Sequence, residues 1–236
     1  MMECKATKNT FTSSQLSCYY YNATSIRNKL ADFNSHFSQG DYDMIAVTES
    51  WFNDSVFDAQ VLKNCDLQIF RRDRSSENSA KDDGGGVMLA VSDTQTAKSR
   101  DDLTTNMEIL WVEIIHSKTK STYVAVVYIP TATTEILQLY ENSLDKVRNI
   151  MKNDDSMVIF GDFNCRDLRW QTQDHCNAVK VRTDINVSNI SNYLLEISDS
   201  HSLMQYNCHA THDDNALDLV FGSNTDMSIS VADKAT

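Results

Sequence analysis

The chain has 236 residues and a formal net charge of −12, with 41% hydrophobic residues, six glycines and one proline. This length suits one large domain or two small ones, and the composition allows a sizeable buried core and excludes a low-complexity chain. The negative net charge argues against a protein that binds nucleic acid through a broad basic face, but it allows a local cluster of carboxylates that binds divalent cations.

The sequence contains no apolar run approaching the ~20 residues of a membrane helix, and its polar start lacks the apolar region of a signal peptide. We therefore expect no membrane partner and a nuclear or cytoplasmic location. The six cysteines lack Cys-x-x-Cys pairs and are expected to be free thiols. A zinc site built from Cys208, His209 and His212 with His175 and Cys176 is disfavoured, because structural zinc sites bring tighter ligand pairs.

The first half of the chain predicts a strand, a helix and then a run of strands. Residues 1–15 form a polar extension, and LSCYYYN (16–22) is typical of a strand. Apolar side chains at helical spacing predict a helix over 24–39, which ends at Gly40. DMIAVTES (43–50) and QIFRRD predict further strands, followed by the polar, glycine-ended loop SSENSAKDDGGG. GVMLAVS, EILWVEII and STYVAVVYIP predict three more.

The second half alternates helices with strands. A long helix is predicted over 134–152, followed by the strand SMVIFGDFN, the shorter helix VSNISNYLLEIS and the late strand ALDLVFG. Strands joined both by helical crossovers and by hairpins favour mixed sheets covered by helices. No linker or repeat divides the chain, so we expect one α/β domain over 16–236.

Several predicted strands end in an acid, an amide or a tyrosine, which a rigid sheet can present to a common cleft. These residues are Asn22, Glu49, Tyr128, Asp162 and Asn164, and Asp218 lies within the late strand. Hydrolysis of a phosphodiester requires a hard cation held by carboxylates, a carboxylate that orients the attacking water, and neutral donors to the phosphate oxygens.

The residue types suit these three roles. Asn22 and Glu49 suit the cation, Asp162 suits the water, and Asn164 and Tyr128 suit the donors. Each also has a structural interpretation: a turn or helix cap for Asn22, a solvated strand end for Glu49, a tight turn for Asp162 and Asn164, and core packing for Tyr128.

Eight blocks of the sequence occur in the order and approximate spacing of one family: NATSIRNKL, DMIAVTESWF, IFRRDRS, GGGVMLAV, EILWVEI, YIP, IFGDFN and TH…NALDLVF. From about residue 16 to 231 the chain resembles the endonuclease domain of non-LTR (LINE-type) retrotransposons, especially Jockey-like elements, within the endonuclease/exonuclease/phosphatase superfamily. The resemblance implies a four-layered α/β sandwich of two packed mixed β-sheets flanked by helices. It also implies Mg²⁺-dependent nicking of DNA, with Mn²⁺ as a substitute, by a monomeric domain of a polyprotein that carries a reverse transcriptase.

The resemblance also implies residue roles. Asn22 and Glu49 would lie at the metal end, Tyr128 would contact the scissile phosphate, and Asp162 would position the water with Asn164 beside it. Asp218 would orient a catalytic histidine, while Thr211 and Asn215 would approach the DNA backbone. Local basic groups, at Arg71, Arg72 and Arg74 and at Arg166 and Arg169, could meet DNA phosphates or lie in solvated loops. We take Arg72 as the candidate.

One departure from the family concerns its Ser-Asp-His triplet, which follows the LDLVF-type strand and does not occur here before Thr236. We therefore expect a C-terminally truncated domain without its last strand. Asp199 and His201 precede the late strand and are not that pair. Two alternatives stay open. One is a catalytically dead remnant. The other is a phosphomonoesterase or phosphoinositide phosphatase of the same fold, which the acidic net charge favours because a small ligand needs no extended basic face.

Overall fold

The computed structural model describes residues 2–8, 16–38, 40, 42–63, 65–81, 83–173, 176–207, 209–210, 215–223 and 227–233. These residues form two mixed β-sheets and three α-helices. None of the described helices is both long enough and apolar enough to cross a membrane.

The first sheet contains six strands. They are β1 (Met2–Lys8), β2 (Leu16–Asn22), β3 (Met44–Thr48), β4 (Leu67–Arg72), β5 (Val87–Ser92) and β14 (Met227–Asp233), in the order β14-β1-β2-β3-β5-β4. Strands β2 and β3 are parallel and joined through helix α1 (Leu30–Phe37), and the other neighbours are antiparallel.

The second sheet contains eight strands. They are β6 (Ala97–Ser99), β7 (Glu108–Ser117), β8 (Lys120–Tyr128), β9 (Ser156–Asp162), β10 (Trp170–Gln173), β11 (Cys176–Val181), β12 (Leu203–Gln205) and β13 (Asp218–Ser223), in the order β10-β11-β12-β13-β9-β8-β7-β6. Strands β8 and β9 are parallel and joined through α2 (Thr134–Ile150), while α3 (Asn189–Ser200) joins β11 to β12.

The layers follow from strands that bury both faces. Along β7, Leu110 and Val112 face the first sheet, whereas Trp111 packs under α2. The sequence of such a strand is a continuous apolar run, because successive side chains point to opposite faces and both faces are buried. Phe33 of α1 packs on the outer face of the first sheet. The order α1, first sheet, second sheet, α2 and α3 confirms the expected four-layered sandwich of two packed mixed sheets.

The structure differs from the sequence prediction at several boundaries. Helix α1 begins at Leu30 and not near residue 24, because Thr24 and Ser25 have φ angles of 43° and 81°. Such left-handed backbone cannot continue into a helix. The polar start supplies β1, which pairs with both β2 and β14. Strand β14 follows the late strand, where the sequence predicted none, and the hairpin β10–β11 was not predicted either.

Candidate active site

Polar residues lie in matching rows at one edge of the sandwich. In the second sheet, backbone pairing aligns Asp218 with Asp162, and Asp162 with Tyr128. In the first sheet, Asn22 is aligned with Thr48, the residue before Glu49. The rows meet in a cleft of about 470 Å³ whose lining includes Asn22, Glu49, Tyr128, Asp162, Asn164 and Asp218. The structure therefore brings the expected strand-end residues together.

The side-chain amide of Asn22 joins carboxylates from both sheets. Its Nδ2 donates to Asp162 Oδ2 at 2.9 Å and to Glu49 Oε1 at 3.3 Å. The other Asp162 oxygen, Oδ1, accepts the backbone N–H of Asn164 at 3.1 Å. Both carboxylate oxygens of Asp162 are thus held in place, and Glu49 lies within reach of the same amide.

A left-handed turn presents Glu49 to the cleft. Glu49 and Trp51 have φ angles of 55° and 56°, a conformation that costs a non-glycine residue about 1–2 kcal/mol. Hydrogen bonds to the glycine-rich loop offset this cost, since Trp51 N–H donates to Gly85 O at 2.8 Å and Ser50 N–H donates to Gly86 O at 3.3 Å. Trp51 Nε1 also donates to Glu49 Oε2 at 3.4 Å. The loop therefore fixes the direction of the Glu49 carboxylate.

A buried ion pair supports Tyr128 from the other side. Arg74 Nη2 lies 2.7 Å from Glu108 Oε1, and the two side chains are 5% and 1% exposed. The Arg74 guanidinium carbon is 5.8 Å from the centroid of the Tyr128 ring. Gly86 N–H donates to Glu108 Oε2 at 2.5 Å. Gly85 has a φ of +62°, and a Cβ there would lie 2.2 Å from the Glu108 carboxylate.

The role of this ion pair was not predicted. Along the chain Arg74 is one of several neighbouring basic residues, and nothing in the sequence around Glu108 indicates a partner. The GGG stretch was the available signal, because three consecutive glycines allow a close approach of backbone to buried groups.

Asp218 is held by a tyrosine in the opposite sheet. Tyr20 donates its hydroxyl hydrogen to Asp218 Oδ1 at 2.7 Å, and its oxygen lies 2.9 Å from Thr48 Oγ1. Burial and the neighbouring Asp218 charge raise the pKa of the Tyr20 hydroxyl well above its usual value. Tyr20 therefore keeps its proton and links the two sheets, a contact that was not predicted from the sequence.

The electrostatics of the cleft fit a divalent cation. Burial, together with the charges of Asp218 and Glu49, raises the pKa of Asp162 to about 8. A positive charge among these groups would favour the ionised carboxylate. The available oxygen ligands are hard, as Mg²⁺ prefers, and Mg²⁺ is commonly held by one or two carboxylates with several waters retained. The described residues contain no cluster of three or more His, Cys, Asp or Glu ligands.

Of the three residues expected to approach DNA, the structure describes two, Arg72 and Asn215. Arg72 does not line the cleft, because its half-buried guanidinium donates from Nη2 to Thr105 O at 3.0 Å. Asn215 is described, and its buried Oδ1 has no hydrogen-bond partner within the described chain. Thr211 lies outside the described residues, as do Cys208, His212 and His175 of the disfavoured zinc set.

Comparisons with known proteins agree with this architecture. Residues 122–235 match the family model described as Endonuclease-reverse transcriptase. No curated protein shows a significant sequence match. Among solved structures, the chain is similar to the endonuclease domain of TRAS1, a telomere-specific non-LTR retrotransposon, with 14% identity, a TM-score of 0.56 and coverage of 86% of this chain and 82% of that one.

Two further solved structures have the same fold. One is an AP endonuclease from Archaeoglobus fulgidus, with 12% identity, a TM-score of 0.56 and coverage of 88% and 86% of the two chains. The other is the 3′ phosphatase NExo from Neisseria bound to a product DNA hairpin, with 12% identity, a TM-score of 0.55 and coverage of 87% and 86%.

The family match covers residues 122–235, just under half of the chain, and the fold is the one that these endonuclease and phosphatase structures share. The match over 122–235 supports the resemblance to retrotransposon endonucleases, and the likeness to the TRAS1 domain shows that the fold is the same.

Proposed function

We propose that this protein is a divalent-cation-dependent endonuclease that nicks DNA by hydrolysing a phosphodiester bond. The observation that carries the proposal is the bridge that Asn22 makes between Asp162 and Glu49, beside Tyr128. Two of the similar structures support the choice of substrate, since one is a retrotransposon endonuclease domain and the other holds a DNA hairpin. The family description supports a reverse transcriptase as the partner domain.

The residues that would hold Mg²⁺ or Mn²⁺ are Glu49 and Asn22, through a carboxylate oxygen and the amide oxygen. When bound, the cation supplies positive charge that neutralises a phosphate oxygen.

The remaining residues suit the chemistry of the nick. In its ionised form Asp162 accepts a hydrogen bond from the attacking water and takes up its proton as the water oxygen bonds to phosphorus. The bond from phosphorus to the leaving sugar oxygen then breaks, and that oxygen gains a proton from solvent. Burial and the charges of Glu49 and Asp162 raise the pKa of Tyr128, so its hydroxyl stays protonated and can donate to a phosphate oxygen.

Relaxation of supercoiled plasmid with added Mg²⁺ tests the proposal. Asp162→Asn should lower the nicking rate about 10²- to 10⁴-fold, as expected for loss of a general base. Glu49→Gln should raise the Mg²⁺ concentration needed for half-maximal nicking, and excess Mg²⁺ should restore part of its rate. Asp199→Asn is the matched control, because Asp199 is an exposed acid on α3. Nicking that persists in Asp162→Asn, or that needs no divalent cation, would refute these roles.

A second candidate is hydrolysis of a small phosphate ester. The net charge of −12 and the cleft of about 470 Å³ favour a small ligand over a long polyanion. Parallel assays with plasmid and with soluble phosphomonoesters separate the two candidates. Phosphate release from the soluble esters without plasmid relaxation would select the second candidate.

A further inference from the structure

One arginine of the cleft has no partner within the part of the chain that the structure describes. The chain contains nine arginines. Eight of them donate a hydrogen bond or form an ion pair, and among the described residues only the Arg166 guanidinium makes neither. Arg166 is exposed and lines the cleft that contains the carboxylates. In a chain of net charge −12, a cation left unneutralised at this position indicates an anionic ligand.

Arg166 lies where the cleft continues into a second groove, which we call the flanking groove. The flanking groove has a volume of about 430 Å³ and shares Pro130, Asn164 and Arg166 with the cleft. Its lining also includes Thr131, after β8, and Ser188, before α3. A polymer bound with one phosphate in the cleft could therefore run into the flanking groove past Arg166.

The backbone around Arg166 is anchored on both sides. Cys165 is 4% exposed and Leu168 is fully buried. The Asp167 carboxylate accepts hydrogen bonds from Ser188 N–H and from the Ser191 hydroxyl, both at 2.5 Å. Asp167 is thus engaged by the start of α3, and the loop that carries Arg166 is fixed. Preorganisation of this kind lowers the entropy cost of binding.

We propose that Arg166 binds the backbone phosphate next to the one that is cleaved, with that part of the nucleic-acid strand lying in the flanking groove. This inference rests on the proposed endonuclease function. A guanidinium suits the site, since it can donate two parallel hydrogen bonds to one phosphate. The basic group at 71–74 is a weaker candidate, because Arg71 and Arg74 are paired with carboxylates and Arg72 with a carbonyl.

The test measures binding of a fluorescent DNA duplex to the Asp162→Asn protein, which separates binding from cleavage. Arg166→Ala in this background should bind about tenfold more weakly, and its plot of log affinity against log salt should be shallower by about one unit. Arg182→Ala is the matched control, because Arg182 is a surface arginine paired with Asp184 at 2.5 Å and lines neither the cleft nor the flanking groove. Arg182→Ala should change neither quantity.

A second measurement identifies the phosphate. After the nick has been mapped, one uncharged methylphosphonate is placed beside the nicked position of the duplex. The Asp162→Asn protein should bind this modified duplex about tenfold more weakly than the unmodified one. The same protein with Arg166→Ala added should bind the two duplexes equally. Equal weakening of both proteins by every such duplex overturns the assignment, as does an Arg166→Ala protein that binds like Arg182→Ala or a parent protein that does not bind the duplex. If binding depends on Arg166 but the native chain nicks no DNA, the endonuclease proposal fails and the phosphate site stands.

Discussion

Replacement of Glu108 should destabilise the protein far more than an ordinary surface change. Glu108 and Arg74 form an ion pair with N–O separation of 2.7 Å, and their side chains are 1% and 5% exposed. Glu108→Leu leaves the Arg74 charge buried without its partner, and it also removes the acceptor of the Gly86 N–H. Breaking a buried pair by removing one partner costs about 3–5 kcal/mol. The expected loss in free energy of unfolding is therefore in that range.

A double-mutant cycle separates the ion pair from simple packing. Arg74→Met alone should cost a similar amount, because it leaves the Glu108 carboxylate buried and unpaired. The double variant should cost much less than the sum of the two, since replacing both charges by apolar groups is often close to neutral. Some loss should remain, because Gly86 N–H keeps no acceptor at that position.

The assay is urea unfolding of all four proteins followed by tryptophan fluorescence, with the free energy taken from the midpoint and slope. Arg182→Ala serves as the control, because exposed pairs contribute about 0–1 kcal/mol. A Glu108→Leu cost below about 1 kcal/mol, or two single costs that simply add in the double variant, would refute the view that the pair is buried and coupled.

Two other predictions concern the cleft. The pKa of Asp162 is raised to about 8 from its usual 3.8. Between these two pH values the folded state holds a proton that the unfolded state has lost. The free energy of unfolding in metal-free buffer should therefore fall as pH rises from about 4 to 8, by at most about 1.4 kcal/mol per pH unit. Thermal unfolding at several pH values should show this slope, and Asp162→Asn should flatten it; an unchanged slope contradicts the assignment. Tyr20→Phe leaves Asp218 without the hydroxyl that donates to it at 2.7 Å and should cost about 1–3 kcal/mol in urea unfolding, whereas Tyr193→Phe, at a partly exposed hydrogen bond to Glu141, should cost less.

Most strands of the two sheets were predictable from local pattern. Runs such as MIAVT and VAVVY are rich in β-branched residues and bury both faces, so they predict strands without knowledge of their neighbours. Short or polar strands were missed, as β1 and β10–β11 show, because their pairing depends on partners distant in sequence. The predicted helix α1 was too long because apolar residues at helical spacing continue before Leu30. The left-handed backbone of Thr24 and Ser25 prevents the helix from starting there.

The sequence by itself determined which residue types stand at the strand ends, and hence the cleft residues Asn22, Glu49, Tyr128, Asp162 and Asn164. Only the tertiary structure decided which of them touch. Asn22 and Asp162 are 140 positions apart, and Tyr20 and Asp218 are 198 apart. The physical reason is that such contacts are set by the register and packing of the two sheets. The same packing neutralised Arg74 and left Arg166 unpaired among the described residues, a distinction that charge counting along the chain cannot make.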